Sequence, residues 1–316
     1  MSVLDEAQTL FRAGRRAEAV ALVEARAAAD DAEALYALGN WRLFALHGPR
    51  DLPAAHDCLQ RAAARGHVDA IRTRAFLLAN GTGCTADPAA ALGMLAQIAG
   101  EDDYAALQIG FLPKMRSEAD AAASARDRLS DAPLVEMVRG LLSLEECRYV
   151  MTIAEPDLRP SSIVDPSGRS MPHPTRTSFG MSFGPTREDL VINRINRRIA
   201  AVTGTMSEWG EPLHILRYQH GQQYLPHVDA LPGVANQRSW TALVYLNEDY
   251  VGGETVFPEI GISVKGRAGD ALVFRNLGDD GRPDALTRHA GLPVPAGTKW
   301  LATRWIRQSR YHPWEK

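Results

Sequence analysis

The chain has 316 residues, 45% hydrophobic and 23% charged, with a formal net charge of −3. That balance excludes the strongly basic footprint of a general nucleic-acid binder, and no run approaches the roughly 18–20 apolar residues of a membrane-spanning helix. Three widely spaced cysteines, Cys58, Cys84 and Cys147, form neither a CxxC zinc signature nor a paired framework. The length predicts two domains, each able to bury a core without disulfides.

The chain begins MSVLDEAQTLFRAGRRAEAV, with no basic segment leading into an apolar one. No secretory signal is therefore expected, and the cysteine usage fits a reducing, cytoplasmic setting. Alanine-rich helices follow. Residues 53–70, PAAHDCLQRAAARGHVDA, align without gaps to residues 88–105, PAAALGMLAQIAGEDDYA, an offset of 35 (88 − 53). A looser copy runs from Ala17 to Ala34, and each copy precedes a second helical stretch. Such a period, with two helices per unit, is the pattern of an α-helical solenoid. With A-x-x-x-L-G and G-x-x-x-D-x-x-x-A spacings, residues 1–112 resemble tetratricopeptide and, more closely, Sel1-like repeats. Pro53 and Pro88 suit the first turn of a helix. Such a unit either caps the other domain or presents a concave surface to a protein partner.

Residues 113–132, PKMRSEADAAASARDRLSDA, are polar and alanine-rich and predict a linker helix. Beyond it the pattern changes. Two helices are expected at LSLEECRYVMTIAE and REDLVINRINRRIAAVTG. The second is expected to start after Thr186, with Glu188 and Asp189 in its first turn. Short β-rich runs then alternate with Gly, Pro and Asp turns: LHILRYQ, WTALVYLN, ISVK, DALVFRN and KWLATRWIR. This order predicts a β-sandwich or barrel with helical support.

Within the β-rich half, YLPHVDALPG places His227 and Asp229 two residues apart. On a strand both would point to one face and Val228 to the other. The pair fits part of a metal site or a hydrogen-bonded surface pair equally. His289 follows 62 residues later (289 − 227). Two histidines and one carboxylate would leave coordination positions open, the donor set associated with non-haem Fe(II) oxygenases.

Eight blocks, LLSLEEC, RTS, RYQHGQQYLPHVDA, WTALVYLN, GGETVFP, GDALVFRN, RHAGLPV and GTKWLATRWI, occur in order between about residues 134 and 308. In this they resemble the prolyl 4-hydroxylase family of Fe(II)/2-oxoglutarate dioxygenases. The resemblance implies an α+β multidomain chain: an N-terminal all-α helical-repeat solenoid and, over 133–316, a double-stranded β-helix (jelly roll) with supporting helices. It implies that His227, Asp229 and His289 hold Fe(2+) and that Lys299 binds the far carboxylate of 2-oxoglutarate. Tyr218 and Tyr245 would contact that co-substrate, with Leu243 on the same strand face as Tyr245. Arg176, Tyr224 and Trp305 would face the substrate, and the segment around 159–174 resembles a closing loop. The reaction implied uses O2, with L-ascorbate as an accessory reductant. It hydroxylates a peptidyl-proline in an intracellular protein and releases succinate and CO2. The repeats could dock that protein; membrane and nucleic-acid partners are not expected. GGET lacks the spacing and lysine of a phosphate loop, and His47, His56, His67, His173, His214, His220 and His312 have no ligand spacing. Two other readings stand beside this one. One is a nucleic-acid demethylase using Arg304 and Arg310, which have R-x5-R spacing; the other is an oxygen-sensing scaffold that binds partners through the repeats.

Overall fold

The alanine-rich N-terminal sequence forms helices whose starts carry their own signals. The structure, a computed structural model, describes residues 2–164, 170–172 and 175–314. Helices α1 (Val3–Arg12), α2 (Arg16–Ala28), α3 (Ala32–Phe44), α4 (Leu52–Ala64), α5 (Val68–Asn80), α6 (Pro88–Ile98) and α7 (Asp103–Phe111) succeed one another. Asp31, Asp51, Asp87 and Asp102 accept hydrogen bonds from the N–H groups of Ala34, Ala54, Ala90 and Ala105, capping α3, α4, α6 and α7. Caps of this kind contribute about 1 kcal/mol each. Pro53 and Pro88 both stand in first turns, where a missing N–H costs little. Leu35, Leu43, Leu59 and Leu77 are fully buried in the shared core. A Cβ on Gly39 would lie 2.9 Å from Leu59 Cγ, so glycine sets how closely α3 and α4 approach.

These helices and residues 185–193 and 312–314 make up one unit; the second comprises the described residues of 115–184 and 194–311. Within the first unit, Asn80 Nδ2 donates to the Pro185 carbonyl (2.8 Å), and the Leu190 N–H donates to Gln108 Oε1 (3.1 Å). The Tyr104 hydroxyl donates to Asp189.

Two expectations are corrected here. The stretch 113–132 is not a linker helix. It holds one short helix, α8 (Glu118–Ala122), and then strand β1 (Arg126–Asp131). β1 is an exposed edge strand paired antiparallel to β2 (Leu134–Val138), and Arg126 and Arg128 both bind Glu136 across the pair. Cross-strand ion pairing gave a polar sequence a β partner that helix propensity could not anticipate. Likewise, the helix expected from Thr186 begins at Leu190: α10 spans Leu190–Thr203. Asp189 is not in its first turn but before it, accepting from the Ile192 N–H at 2.7 Å. The expected helix over LSLEECRYVMTIAE is α9 (Leu144–Ala154), closed by a Ser143–Glu146 capping box.

The second unit is a jelly roll. The further strands are β3 (Arg159–Pro160), β4 (Ser162–Val164), β5 (Ser170–Pro172), β6 (Phe179–Ser182), β7 (His214–Tyr218), β8 (Tyr224–His227) and β9 (Arg238–Tyr245). β10 (Thr255–Phe257), β11 (Ile262–Val264), β12 (Ala271–Arg275), β13 (His289–Gly291) and β14 (Lys299–Arg307) complete the set. Among the described residues the major sheet runs β1-β2-β12-β9-β14-β7-β6-β3 and the minor sheet β11-β10-β13-β8, with β4 and β5 as a separate pair. Strands distant in sequence lie side by side, with β9 between β12 and β14. Alternate residues of the major sheet, including Met137, Leu216, Leu243, Leu272 and Leu301, meet Phe257 from the minor sheet in one core. Part of the expected closing loop, residues 165–169 and 173–174 with His173, lies outside the described residues.

Candidate metal centre

His227 ends β8 and His289 begins β13, and the two are direct register partners in the minor sheet. That pairing puts their rings on one face, with centroids 4.3 Å apart. Strand β8 stops at His227, so Asp229 is not on a strand as the H-x-D spacing suggested; it lies in the bend that follows. Val228, between them, is 43% exposed. The Asp229 carboxylate still turns inward. Oδ1 lies 3.7 Å from His227 Nε2, and Oδ2 lies 3.8 Å from His289 Nε2. One ligand atom from each of the three residues falls within 4.8 Å of the others, the one such group of metal-binding type among the described residues.

The protonation states suit a metal. His227 Nδ1 lies 2.9 Å from the Leu225 carbonyl and His289 Nδ1 lies 3.0 Å from that of Thr287. A carbonyl only accepts, so each Nδ1 donates its hydrogen there, and Nε2 is the ring nitrogen turned towards Asp229. Burial, and then the neighbouring His289, bring the His227 pKa down to about 4. Burial alone would raise the Asp229 pKa. His289, His227 and the Thr241 hydroxyl outweigh it and hold the carboxyl below its usual range. Two imidazole nitrogens and one carboxylate, the His227 ring half-buried and the other two groups buried, fit Fe(II) and leave positions for other ligands.

A cavity of about 410 Å³, counting its open mouth, extends from these three groups. Lys299, Leu301, Thr303 and Trp305, alternate residues of β14, line one wall. Lys299 is 3% exposed and its ammonium donates to the Gly253 carbonyl at 2.7 Å. Gly253 adopts φ +66°, a conformation glycine enters freely. Burial lowers the Lys299 pKa to about 8. The result is a fixed cation at the end of a largely apolar slot, able to receive the distal carboxylate of a dianion.

Tyr218, opposite Lys299 in register, lines the cavity, as do Leu243, Tyr224, Arg176 and Trp305. Tyr245 does not. It is fully buried behind the wall, and its hydroxyl donates to Thr255 Oγ1 (3.2 Å), which does reach the cavity. Arg176 bridges to Tyr224, its guanidinium 5.3 Å from that ring's centroid. Arg304 points away from the cavity. It donates to the carbonyls of Asn196, Ser207 and Glu211, so the R-x5-R pairing with Arg310 supplies no cavity cation there.

Several residues at the site carried no sequence signal. Thr255 and Thr303 line the cavity, and the buried Thr303 hydroxyl has no hydrogen-bond partner among the described residues. Arg238 stacks 3.9 Å over Trp305 and is held by both oxygens of Glu211, which also pairs with Arg307. His214 is half-buried beside Trp305, with Nδ1 2.8 Å from Ser182 Oγ. Alternation along β14 and β7 could have pointed to Thr303 and His214; nothing in the linear sequence pointed to Glu211.

Residues 213–307 match the 2OG-Fe(II) oxygenase superfamily. The chain is 38% identical over 200 residues to prolyl 4-hydroxylase 1 of Arabidopsis thaliana, covering 57% of this chain and 71% of that one. It is 36% identical over 208 residues to probable prolyl 4-hydroxylase 3 of the same plant, covering 58% and 72%. Among solved structures, the viral collagen prolyl hydroxylase of Paramecium Bursaria Chlorella virus-1, in its 2OG complex, aligns at 28% identity and a TM-score of 0.46. That alignment covers 57% of this chain and 99% of the viral one.

Proposed function

The chain belongs to the prolyl 4-hydroxylase family of 2OG-Fe(II) oxygenases, and from that premise we propose that it hydroxylates a peptidyl-proline in an intracellular protein, releasing succinate and CO2. It is a 2-oxoglutarate-dependent dioxygenase and a proline hydroxylase by family. The observation that carries the proposal is the meeting of His227, Asp229 and His289 with the buried Lys299 in one cavity.

Bound Fe(II) and 2-oxoglutarate supply the oxidising chemistry, in which decarboxylation of the co-substrate drives oxygen insertion into a C–H bond. The chain's own residues supply position. Lys299 takes the distal carboxylate in this reading, and Tyr218 and Thr255 line the same cavity. Leu216, Leu243 and Leu301 keep the slot apolar, which strengthens that charge pairing. Arg176, Tyr224 and Trp305 stand on the wall where the target residue would lie. An aromatic pair flanked by guanidinium donors suits a proline ring and the carbonyls on either side of it.

The helices of the first unit dock the protein substrate in this reading, as Sel1-like repeats. Support comes from the offset of 35 (88 − 53) and from helix pairs that restart at capped, proline-bearing turns. L-ascorbate serves as accessory reductant, and the free thiols Cys58, Cys84 and Cys147 fit a cytoplasmic setting. The test is succinate formation from 2-oxoglutarate with added Fe(II), together with mass spectrometry of cell proteins incubated with the enzyme. We expect a gain of one oxygen on a proline; a gain confined to free amino acids or nucleobases overturns the proposal.

A further inference from the structure

Of the three metal-binding side chains, only Asp229 lies off a strand, so something other than sheet geometry must fix its carboxylate. Thr241, fully buried on β9 of the opposite sheet, places Oγ1 2.6 Å from Asp229 Oδ2. Asn276, fully buried just past β12, places Nδ2 2.9 Å from the same Oγ1. The polarity of this chain follows from proton counting. An ionised carboxylate can only accept, so the one hydroxyl proton of Thr241 lies towards Asp229. Thr241 must then accept from its other neighbour, and Asn276 can meet that need only with its NH2 group. The amide's own oxygen is left buried with no partner among the described residues, a cost that packing alone does not return. Asn276 also holds the backbone on the way to His289. Its carbonyl accepts from the Asp284 N–H (2.9 Å), the Asp284 carbonyl from the Thr287 N–H (3.1 Å), and the Thr287 carbonyl from His289 Nδ1 (3.0 Å).

We propose that Thr241 and Asn276 are positioning residues that hold the Asp229 carboxylate in the orientation in which it faces His227 and His289. With the Thr241 proton on Oδ2, turning the carboxylate out of that orientation breaks a buried hydrogen bond. The inference rests on the reading of His227, Asp229 and His289 as metal ligands.

The experiment is calorimetric titration of Mn2+ into the metal-free full chain, with the melting temperature of each metal-free variant measured alongside. Thr241→Val keeps the shape and removes the proton; we expect roughly 10- to 100-fold weaker Mn2+ binding, the range for lost outer partners of metal ligands. Thr241→Ser restores the hydroxyl and should restore affinity. Asn276→Ala should weaken binding in the same direction, and it carries the test if Thr241→Val fails to fold. Unchanged Mn2+ affinity in the folded variants overturns the proposal, as does a Thr241→Ser variant no better than Thr241→Val, since packing volume would then be the cause. Failure of the unaltered chain to bind Mn2+ would instead sink the ligand assignment itself.

Discussion

The two units bury their interiors by different means. In the helical unit the core cluster is mostly leucine, alanine and valine, and the close contact of Gly39 with Leu59 is purely steric. In the jelly roll, the region between the sheets holds a carboxylate, two imidazoles, an ammonium and a chain of hydroxyl and amide groups. Apolar packing is non-directional, and many side chains of similar volume satisfy it. A buried polar constellation requires donors and acceptors matched in number and angle, so few residues can stand in for each member. The helical unit should therefore tolerate substitution with graded losses of stability, whereas single changes between the sheets should remove function from a folded protein.

The largest effect should come from His227→Ala or His289→Ala. Either leaves two ligands, and we expect loss of both Mn2+ binding and succinate formation with the circular dichroism spectrum retained. A variant that keeps full turnover would end the distinction between the units.

Next is Lys299→Ala. Truncating one partner of a buried charge pair costs about 2–5 kcal/mol, so the concentration of 2-oxoglutarate needed for half-saturation should rise by at least an order of magnitude while Mn2+ binding without co-substrate persists. The same site predicts a pH effect whose sign is fixed by its depressed pKa. Below about 8 the ammonium is protonated and can pair with a carboxylate; as pH rises through about 8 it is lost. Affinity for 2-oxoglutarate should fall over that range, and a Lys299→Arg variant that still binds should not follow the fall, because a guanidinium stays charged.

In the helical unit, Leu59→Ala should cost about 2–5 kcal/mol, read as a lower melting temperature, with the half-saturating 2-oxoglutarate concentration unchanged. A shift in that concentration comparable to the Lys299→Ala effect would mean that the units are not independent in function.

The smallest effect concerns His214, whose pKa is brought down to about 3 by burial, then by Arg176 and Arg238. Its folded value lies below the unfolded one of 6.5, so the unfolded chain binds this proton first. The contribution to stability is present above about pH 6.5 and is lost as pH falls from there towards 3. His214→Gln should flatten that part of the acid denaturation curve.

How much of this was legible beforehand depends on what kind of signal each residue leaves. His227, His289 and Lys299 are chemically rare in strands, and with Asp229 they stand at telling separations, so the blocks around them spoke clearly. Leu243 lines the cavity, whereas Tyr245, two residues further along β9, is fully buried with its hydroxyl on Thr255. The segment 126–131 reads as helix by composition yet pairs as a strand, because its partner Glu136 lies on β2. Thr241 looked like any β-branched strand residue, and Asn276 like any loop residue.

The sequence by itself determined the helical and β-rich halves, and the order of the two histidines, the aspartate and the lysine along the chain. Alternation and spacing are local properties that the chain carries into any fold. Only the tertiary structure decided that Asp229 would be met by Thr241, that Asn276 would lie behind it, and that Arg304 would turn away from the cavity. Those outcomes depend on the order and register of strands far apart in the chain, with β9 lying between β12 and β14 and the two histidines opposed across β8 and β13. A hydrogen bond's partner is set by that register, which no local pattern specifies.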